Sequence, residues 1–301
     1  MEQTTDKLNL VYLLSNGRSG STLLELLLNA HPAAWTVGEL HVLPSEVEMK
    51  PRPCGCGLQY GRCGFWREVL EKTGPLTSRY DVDHFVPGGS GKAVRWPELP
   101  SMLFDTAPSA AIQAYADNNA RLFRAILEVA RTRSHKDVTH LVDASKSSYR
   151  LSWLLRSKRF NIKTIHIVKD PRAFIHSMTK SDQQTRWRQT PRYIGKWVFE
   201  NALMEWITRR SGPDSWRTVT YEKLATSPTE VTRELFDWLG LEPLDVTGAF
   251  REAENHAVGG NPMRWESRGV ALDTAWKQRL PAVYKVMTQC GTWPLRRLYG
   301  Y

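Results

Sequence analysis

The sequence predicts an α/β fold, a parallel sheet with helices on both faces. Three observations predict it. Short apolar runs at Leu8–Leu14, Thr139–Asp143, Ile165–Val168 and Trp216–Tyr221 alternate with longer helical stretches. Glycine-rich or polar loops fall at the ends of those runs, where ligands of such sheets bind. The 301 residues suffice for one large core, so 1–301 reads as a single domain.

Taken in order, Leu8–Leu14 suits a strand buried on both faces. Ser15, Asn16, Gly17, Arg18, Ser19, Gly20, Ser21 and Thr22 follow as a tight turn. Leu23–Leu28, with Glu25 as the only polar break, is a mostly buried helix. A strand, a glycine turn and a helix N-terminus together form a phosphate cradle, because the first helical turn offers unpaired N–H groups and a positive dipole end. A nucleoside-triphosphate loop would carry Lys before Ser or Thr. Here Gly20 precedes Ser21, and the loop's cation is Arg18. The pattern alone leaves phosphate binding and a plain connector both open.

His31-Pro32 ends that helix. Thr36-Val37 is a short extended piece and Gly38 a turn. Residues 44–110 are rich in Pro and Gly and weakly periodic, too long for a plain connection. Asp117–Arg133 is a helix, Thr139–Asp143 a strand, Ser145–Ser147 the loop at its tip, and Tyr149–Arg159 a helix. After Ile165–Val168 come Lys169 and Asp170, then Pro171 at the first helical position. Ser177 lies about two turns into that helix. Arg192–Arg210 is a long helix, and Pro228–Leu239 a helix stopped by Gly240.

The pair GRSGST and KDPRAFIHS resembles the two nucleotide-binding motifs of sulfotransferases that use 3′-phosphoadenosine 5′-phosphosulfate (PAPS). The run from Arg18 to Pro44 is similar to the tyrosylprotein and Golgi carbohydrate branch and its bacterial relatives. The resemblance implies a P-loop NTPase-like sheet, with 44–110 as an irregular acceptor-site insertion. It implies that Gly17, Arg18, Ser19, Gly20, Ser21 and Thr22 hold the 5′-phosphosulfate, and that Lys169 and Ser177 hold the 3′-phosphate. Lys146, in the DASKSS loop, resembles the catalytic lysine. Glu39, after Gly38, matches the general base of the tyrosylprotein enzymes, with His41 as its rival. Tyr221 opens a segment similar to the adenine side, with core packing its alternative. Arg264 and Arg268 resemble the closing loop over the 3′-phosphate.

Two departures stand out. Lys169 occupies a position that is Arg in most relatives, which loses a bidentate fork but keeps the charge. Leu40 and His41 follow Glu39, unlike the more polar tyrosylprotein continuation. The expected reaction is therefore sulfuryl transfer from PAPS to a hydroxyl of a small-molecule, carbohydrate or phenolic acceptor, releasing adenosine 3′,5′-bisphosphate. The rivals are a P-loop nucleotide kinase and a non-catalytic nucleotide- or glycan-binding protein.

The net charge of +10 suits a polyanionic ligand. Lys and Arg are dispersed without a like-charge run, so nucleic acid is not an expected partner. No stretch reaches 18 apolar residues, and the polar start MEQTTDK is unlike a signal peptide. The expected location is cytoplasmic. Cys54, Cys56 and Cys63 cluster in PRPCGCGLQYGRCGFW. No fourth ligand follows at regular spacing, so free thiols in a packed loop are expected rather than a zinc knuckle or redox pair, and the chemistry is expected to be metal-independent.

Overall fold

The computed structural model describes residues 7–44, 53–74, 99–105, 107–182, 184–266 and 269–301. Five strands form one all-parallel sheet: β1 (Leu8–Ser15), β2 (Ala34–Gly38), β3 (His140–Asp143), β4 (Phe160–Val168) and β5 (Trp216–Thr220). Their spatial order is β2-β3-β1-β4-β5. β1 lies at the centre, pairing with β3 on one side and β4 on the other.

The alternation of side chains along β1 divides the core in two. Leu10, Tyr12 and Leu14 enter one apolar cluster, while Val11 and Leu13 enter the other. The first cluster is completed by α2 (Gly64–Thr73), α3 (Leu99–Phe104), α4 (Ala110–Ser134), α5 (Ser148–Ser157) and part of α7 (Arg186–Arg210). The second is completed by α1 (Ser21–Asn29) and α9 (Pro228–Leu239). Helices thus cover both faces. A third, smaller cluster joins α6 (Pro171–Thr179) to α7 and the C-terminal helices α11 (Ala282–Gly291) and α12 (Trp293–Leu298). Two short helices, α8 (Tyr221–Thr226) and α10 (Trp276–Arg279), complete the fold.

Several boundaries differ from the sequence expectation. β4 begins at Phe160, five residues before the apolar run, because Asn161 and Lys163 alternate outward with Phe160 and Ile162 turned inward. α4 begins at Ala110 rather than Asp117, with Ser109 accepting the Ile112 N–H as its cap. The Thr36-Val37 piece is part of a full sheet strand, buried along its length. Within the proposed insertion, 45–52, 75–98 and 106 lie outside the described residues. The described part is more regular than expected: Phe65, Trp66 and Val69 of α2 are fully buried in the main core. No helix among the described residues is long and apolar enough to cross a membrane.

Candidate active site

The carboxyl ends of β1, β2, β3 and β4 open into one cleft of about 630 Å³. The loop after β1 contributes Ser15, Gly17, Arg18, Gly20, Ser21 and Thr22. Gly20 sits at φ 89° as the N-cap of α1 and supplies no side chain there. The Leu23 and Leu24 N–H groups donate to Gly20 O at 3.0 and 3.2 Å, so Ser21 and Thr22, which line the cleft, are the positions whose N–H groups a helix start leaves for an anion. Gly17 has open space where a Cβ would be. The buried Ser15 and Ser19 hydroxyls have no hydrogen-bond partner, and Ser15 lines the cleft. This cradle fits a phosphate group.

Glu39 follows β2 and Lys146 follows β3, and the pairing of those strands brings them together. Lys146 Nζ donates to Glu39 Oε1 at 2.5 Å. The Glu39 N–H donates to Val258 O at 2.7 Å, which fixes the start of its loop. His41 also lines the cleft, and its N–H donates to Ser145 Oγ at 3.3 Å. Burial pushes the His41 imidazole down to about 4, so it is neutral at pH 7.

The Lys146 loop rests on a buried ion pair. Asp143 accepts the Ser145 N–H at 2.9 Å through one oxygen. Its other oxygen accepts Arg150 Nη2 at 2.8 Å and Nε at 3.0 Å. Tyr12 adds a second anchor, donating to Ser147 O at 2.9 Å and accepting the Ser147 N–H at 3.2 Å. Four described non-glycine residues have left-handed backbone: Arg18, His135, Lys146 and Lys158. His135 and Lys158 are helix C-caps, where that conformation is ordinary. Arg18 and Lys146 are not, and both present cations to the cleft. Backbone strain held in place by its surroundings is a mark of functional positions.

At the far side, Lys169 and Ser177 line the cleft with Tyr221. Asp170 caps α6 as expected, accepting the Arg172 N–H. Lys169 Nζ lies 4.3 Å from the centre of the Tyr221 ring. Burial lowers the Lys169 ammonium below the ordinary lysine value.

Two expected residues are not brought to the cleft. Ser19 faces inward beneath its loop, 0% exposed, so only its backbone is available there. Arg264 is drawn into the protein instead of reaching toward a 3′-phosphate. Its Nη1 donates to Ala257 O at 3.0 Å, and its Nη2 lies 3.6 Å from Glu25 Oε2. The cause is Glu25, the lone carboxylate buried among the leucines of α1, which needs a counter-charge. Arg268 lies outside the described residues.

The sequence reading missed Lys180, Lys196, Glu200 and Asp273, which also line the cleft. Glu200 accepts a hydrogen bond from Asn16 Nδ2, and its carboxyl is raised by burial. Residues near the second motif could have flagged Lys180. Nothing local flags Glu200, which sits mid-helix among Trp197 and Leu203. The cations Arg18, Lys146, Lys169, Lys180 and Lys196 outnumber the carboxylates Glu39, Glu200 and Asp273, which gives the cleft a positive field.

Cys54, Cys56 and Cys63 are free thiols, Cys54 and Cys63 buried and Cys56 exposed. Cys54, Cys56 and Cys63 are joined by His256, from 193 residues beyond Cys63. The spacing rule missed it because the fourth group comes from a distant segment packed beside the sheet edge.

The sequence profile of the sulfotransferase family matches residues 11–245. Among solved structures, the sulfotransferase domain from the Synechococcus PCC 7002 olefin synthase aligns at 22% identity. It covers 99% of this chain and 98% of that one, with a TM-score of 0.51, and shares the fold described above. The sulfotransferase domain from the curacin biosynthetic pathway aligns at 20% identity over 96% of this chain and 98% of that one, with a TM-score of 0.49. A sulfotransferase from Mycobacterium avium aligns at 14% identity over 81% and 66% of the two chains, with a TM-score of 0.45. No curated protein sequence shows a significant match. With the profile spanning most of its length, from the central strand through the last strand and α9, the chain belongs to the sulfotransferase family.

Proposed function

We propose that this protein transfers a sulfuryl group from PAPS to a hydroxyl of a small-molecule, carbohydrate or phenolic acceptor. The observation that carries the reading is the meeting of Glu39 and Lys146 at 2.5 Å, from the tips of adjacent strands, in the same cleft as the glycine loop. PAPS supplies the sulfuryl group and a good leaving group in adenosine 3′,5′-bisphosphate.

In this reading the residues divide the work. Backbone N–H groups from Gly17 to Thr22, with the hydroxyls of Ser21 and Thr22, hold the 5′-phosphate. Arg18 neutralises the charge that grows there as the bond to sulfur breaks. Donors aimed at developing charge are typically worth about 10²- to 10³-fold. Lys146 is positioned to neutralise the bridging and sulfuryl oxygens. Glu39 accepts the acceptor's proton, and its contact with Lys146 keeps the base and the cation in register. Lys169 and Ser177 grip the 3′-phosphate, while Tyr221 flanks the nucleotide. Arg264 takes no part in this reading, because its guanidinium lies 3.6 Å from Glu25 and does not line the cleft.

The test has two arms. Calorimetry with adenosine 3′,5′-bisphosphate in the absence of Mg²⁺ should show binding, whereas ATP with Mg²⁺ should show none. Incubation with radiolabelled PAPS and a cell extract should then give a labelled product whose identification names the acceptor. Preference for ATP and Mg²⁺ would favour a kinase. Binding without transfer to any acceptor pool would favour a non-catalytic nucleotide-binding protein.

A further inference from the structure

Away from the cleft, the ligand atoms of Cys54, Cys56, Cys63 and His256 lie within 4.8 Å of one another. We propose that these four residues form a closed, tetrahedral site for one structural zinc ion, which ties residues 53–66 to the segment around His256 and thereby positions Glu39.

The distances suit the ion. Sulfurs bound to zinc at about 2.3 Å in a tetrahedron stand about 3.8 Å apart. The Cys56–Cys63 and Cys54–Cys63 sulfur separations are 3.8 and 3.7 Å. A sulfur and an imidazole nitrogen on the same ion stand about 3.6 Å apart. His256 Nδ1 lies 3.7 Å from Cys54 Sγ and 3.2 Å from Cys63 Sγ. Three thiols and one imidazole are a donor set that favours zinc over harder divalent ions.

The surroundings are built for the same purpose. His256 Nε2 donates to Glu254 Oε1 at 2.8 Å, which leaves the Nδ1 lone pair facing the sulfurs. Phe65 stacks on the imidazole at 4.7 Å with the rings 4° from parallel. Trp66 Nε1 donates to His256 O at 2.7 Å. Four protein ligands leave no open position, so the ion's role is structural.

The link to the active site is short. Two residues past His256, Val258 pairs with the edge strand β2: its N–H donates to Val37 O at 3.0 Å, and its carbonyl accepts the Glu39 N–H at 2.7 Å. Gly38 passes so close to this segment that a Cβ there would lie 2.3 Å from Val258 O. Gly55 N–H donates to Ala257 O at 3.1 Å, joining the cysteine loop to the same segment. Holding His256 therefore holds the strand that sets the Glu39 backbone.

The test uses the full chain purified from zinc-supplemented medium. Plasma mass spectrometry should find about one zinc per chain. Replacement by Co²⁺ should give the intense visible bands of a tetrahedral site and a thiolate charge-transfer band in the near ultraviolet. Cys63→Ser should abolish both signals, while His256→Cys should retain metal, since a four-thiolate site is equally acceptable to zinc. In case the serine variant does not fold, removing zinc from the native chain with a chelator should lower the melting temperature. It should also reduce turnover while nucleotide affinity holds, and restored zinc should reverse both effects. The proposal is overturned by a folded protein with no bound metal and no cobalt spectrum, whether its thiols titrate freely or a mass deficit of two hydrogens reveals a disulfide.

Discussion

Replacing Glu39 by Gln isolates the proton-accepting role in the proposed reaction. The substitution keeps shape and leaves an amide oxygen able to accept from Lys146 Nζ, but it removes the basic carboxylate. The side chains of Glu39 and Lys146 are 22% and 17% exposed, so the pair is neither a surface pair nor a fully buried one. With the contact kept in neutral form, the stability loss should stay near 1 kcal/mol. That amounts to a fall of about 3 °C in melting temperature. A positioned general base contributes about 10²- to 10⁴-fold. This corresponds to roughly 3–5.5 kcal/mol on the barrier. Turnover should therefore collapse in a protein that remains folded and nucleotide-competent. Calorimetry with adenosine 3′,5′-bisphosphate and a transfer assay on one preparation measure both quantities. Near-normal turnover in Glu39→Gln, with activity abolished in His41→Ala or Glu200→Gln, would refute the assignment and hand the role to one of those neighbours.

Other consequences are separately testable. Arg18→Ala should mainly depress turnover and Ser177→Ala mainly nucleotide affinity, because one group faces developing charge and the other a phosphate that does not react; equal affinity losses with unchanged turnover in both would contradict that split. Asp143→Asn should destabilise the fold by about 3–5 kcal/mol in urea titrations, since it leaves the Arg150 guanidinium buried without its counter-ion, and an effect below about 1 kcal/mol would show the pair to be dispensable. Burial holds His31, His41, His140 and His176 below the ordinary histidine value, His41 at about 4. At these four sites the unfolded chain binds more protons than the folded one, so their contribution to stability should be full above about pH 6.5 and lost as pH falls toward about 4, opposed in part by the raised carboxyls of Glu25 and Glu200; a fall in melting temperature across that window that is unchanged in His41→Gln would count against it.

The parts of the site written in contiguous residues were legible. The loop from Gly17 to Thr22 declares itself because two glycines and three small hydroxyl residues, with Arg18 the one long side chain, let the backbone turn tightly between an apolar strand and a helix. Asp170-Pro171 declares a helix start for an equally local reason. Lys146 and Glu39 were legible only as neighbours of strand ends; that they touch follows from the β2–β3 pairing, which no local pattern encodes. Arg264 misled because its glycine-rich surroundings look like a mobile closing loop, whereas the deciding fact is a carboxylate in α1, distant in the chain. His256 was invisible for the same reason. In each miss, a charge or ligand requirement was satisfied by a partner that only the tertiary fold brings near.

Tyr221 shows how such long-range packing ties the two motifs together. A Cβ at Gly20 would lie 2.4 Å from the Tyr221 ring, so the phosphate loop needs glycine twice over, for its φ of 89° and for this contact. The same ring lies under the Lys169 ammonium, and its hydroxyl accepts the Asp273 N–H at 3.3 Å. One aromatic side chain thus touches the first motif, the second motif and the segment that follows residue 269. Lys169 is poorly solvated there, and the ring face offsets only part of that cost. An ammonium short of solvation gains more from an incoming phosphate than one at the surface, because the interaction occurs at lower effective dielectric. This gives a physical reason why lysine can serve at a position where the resemblance leads one to expect arginine.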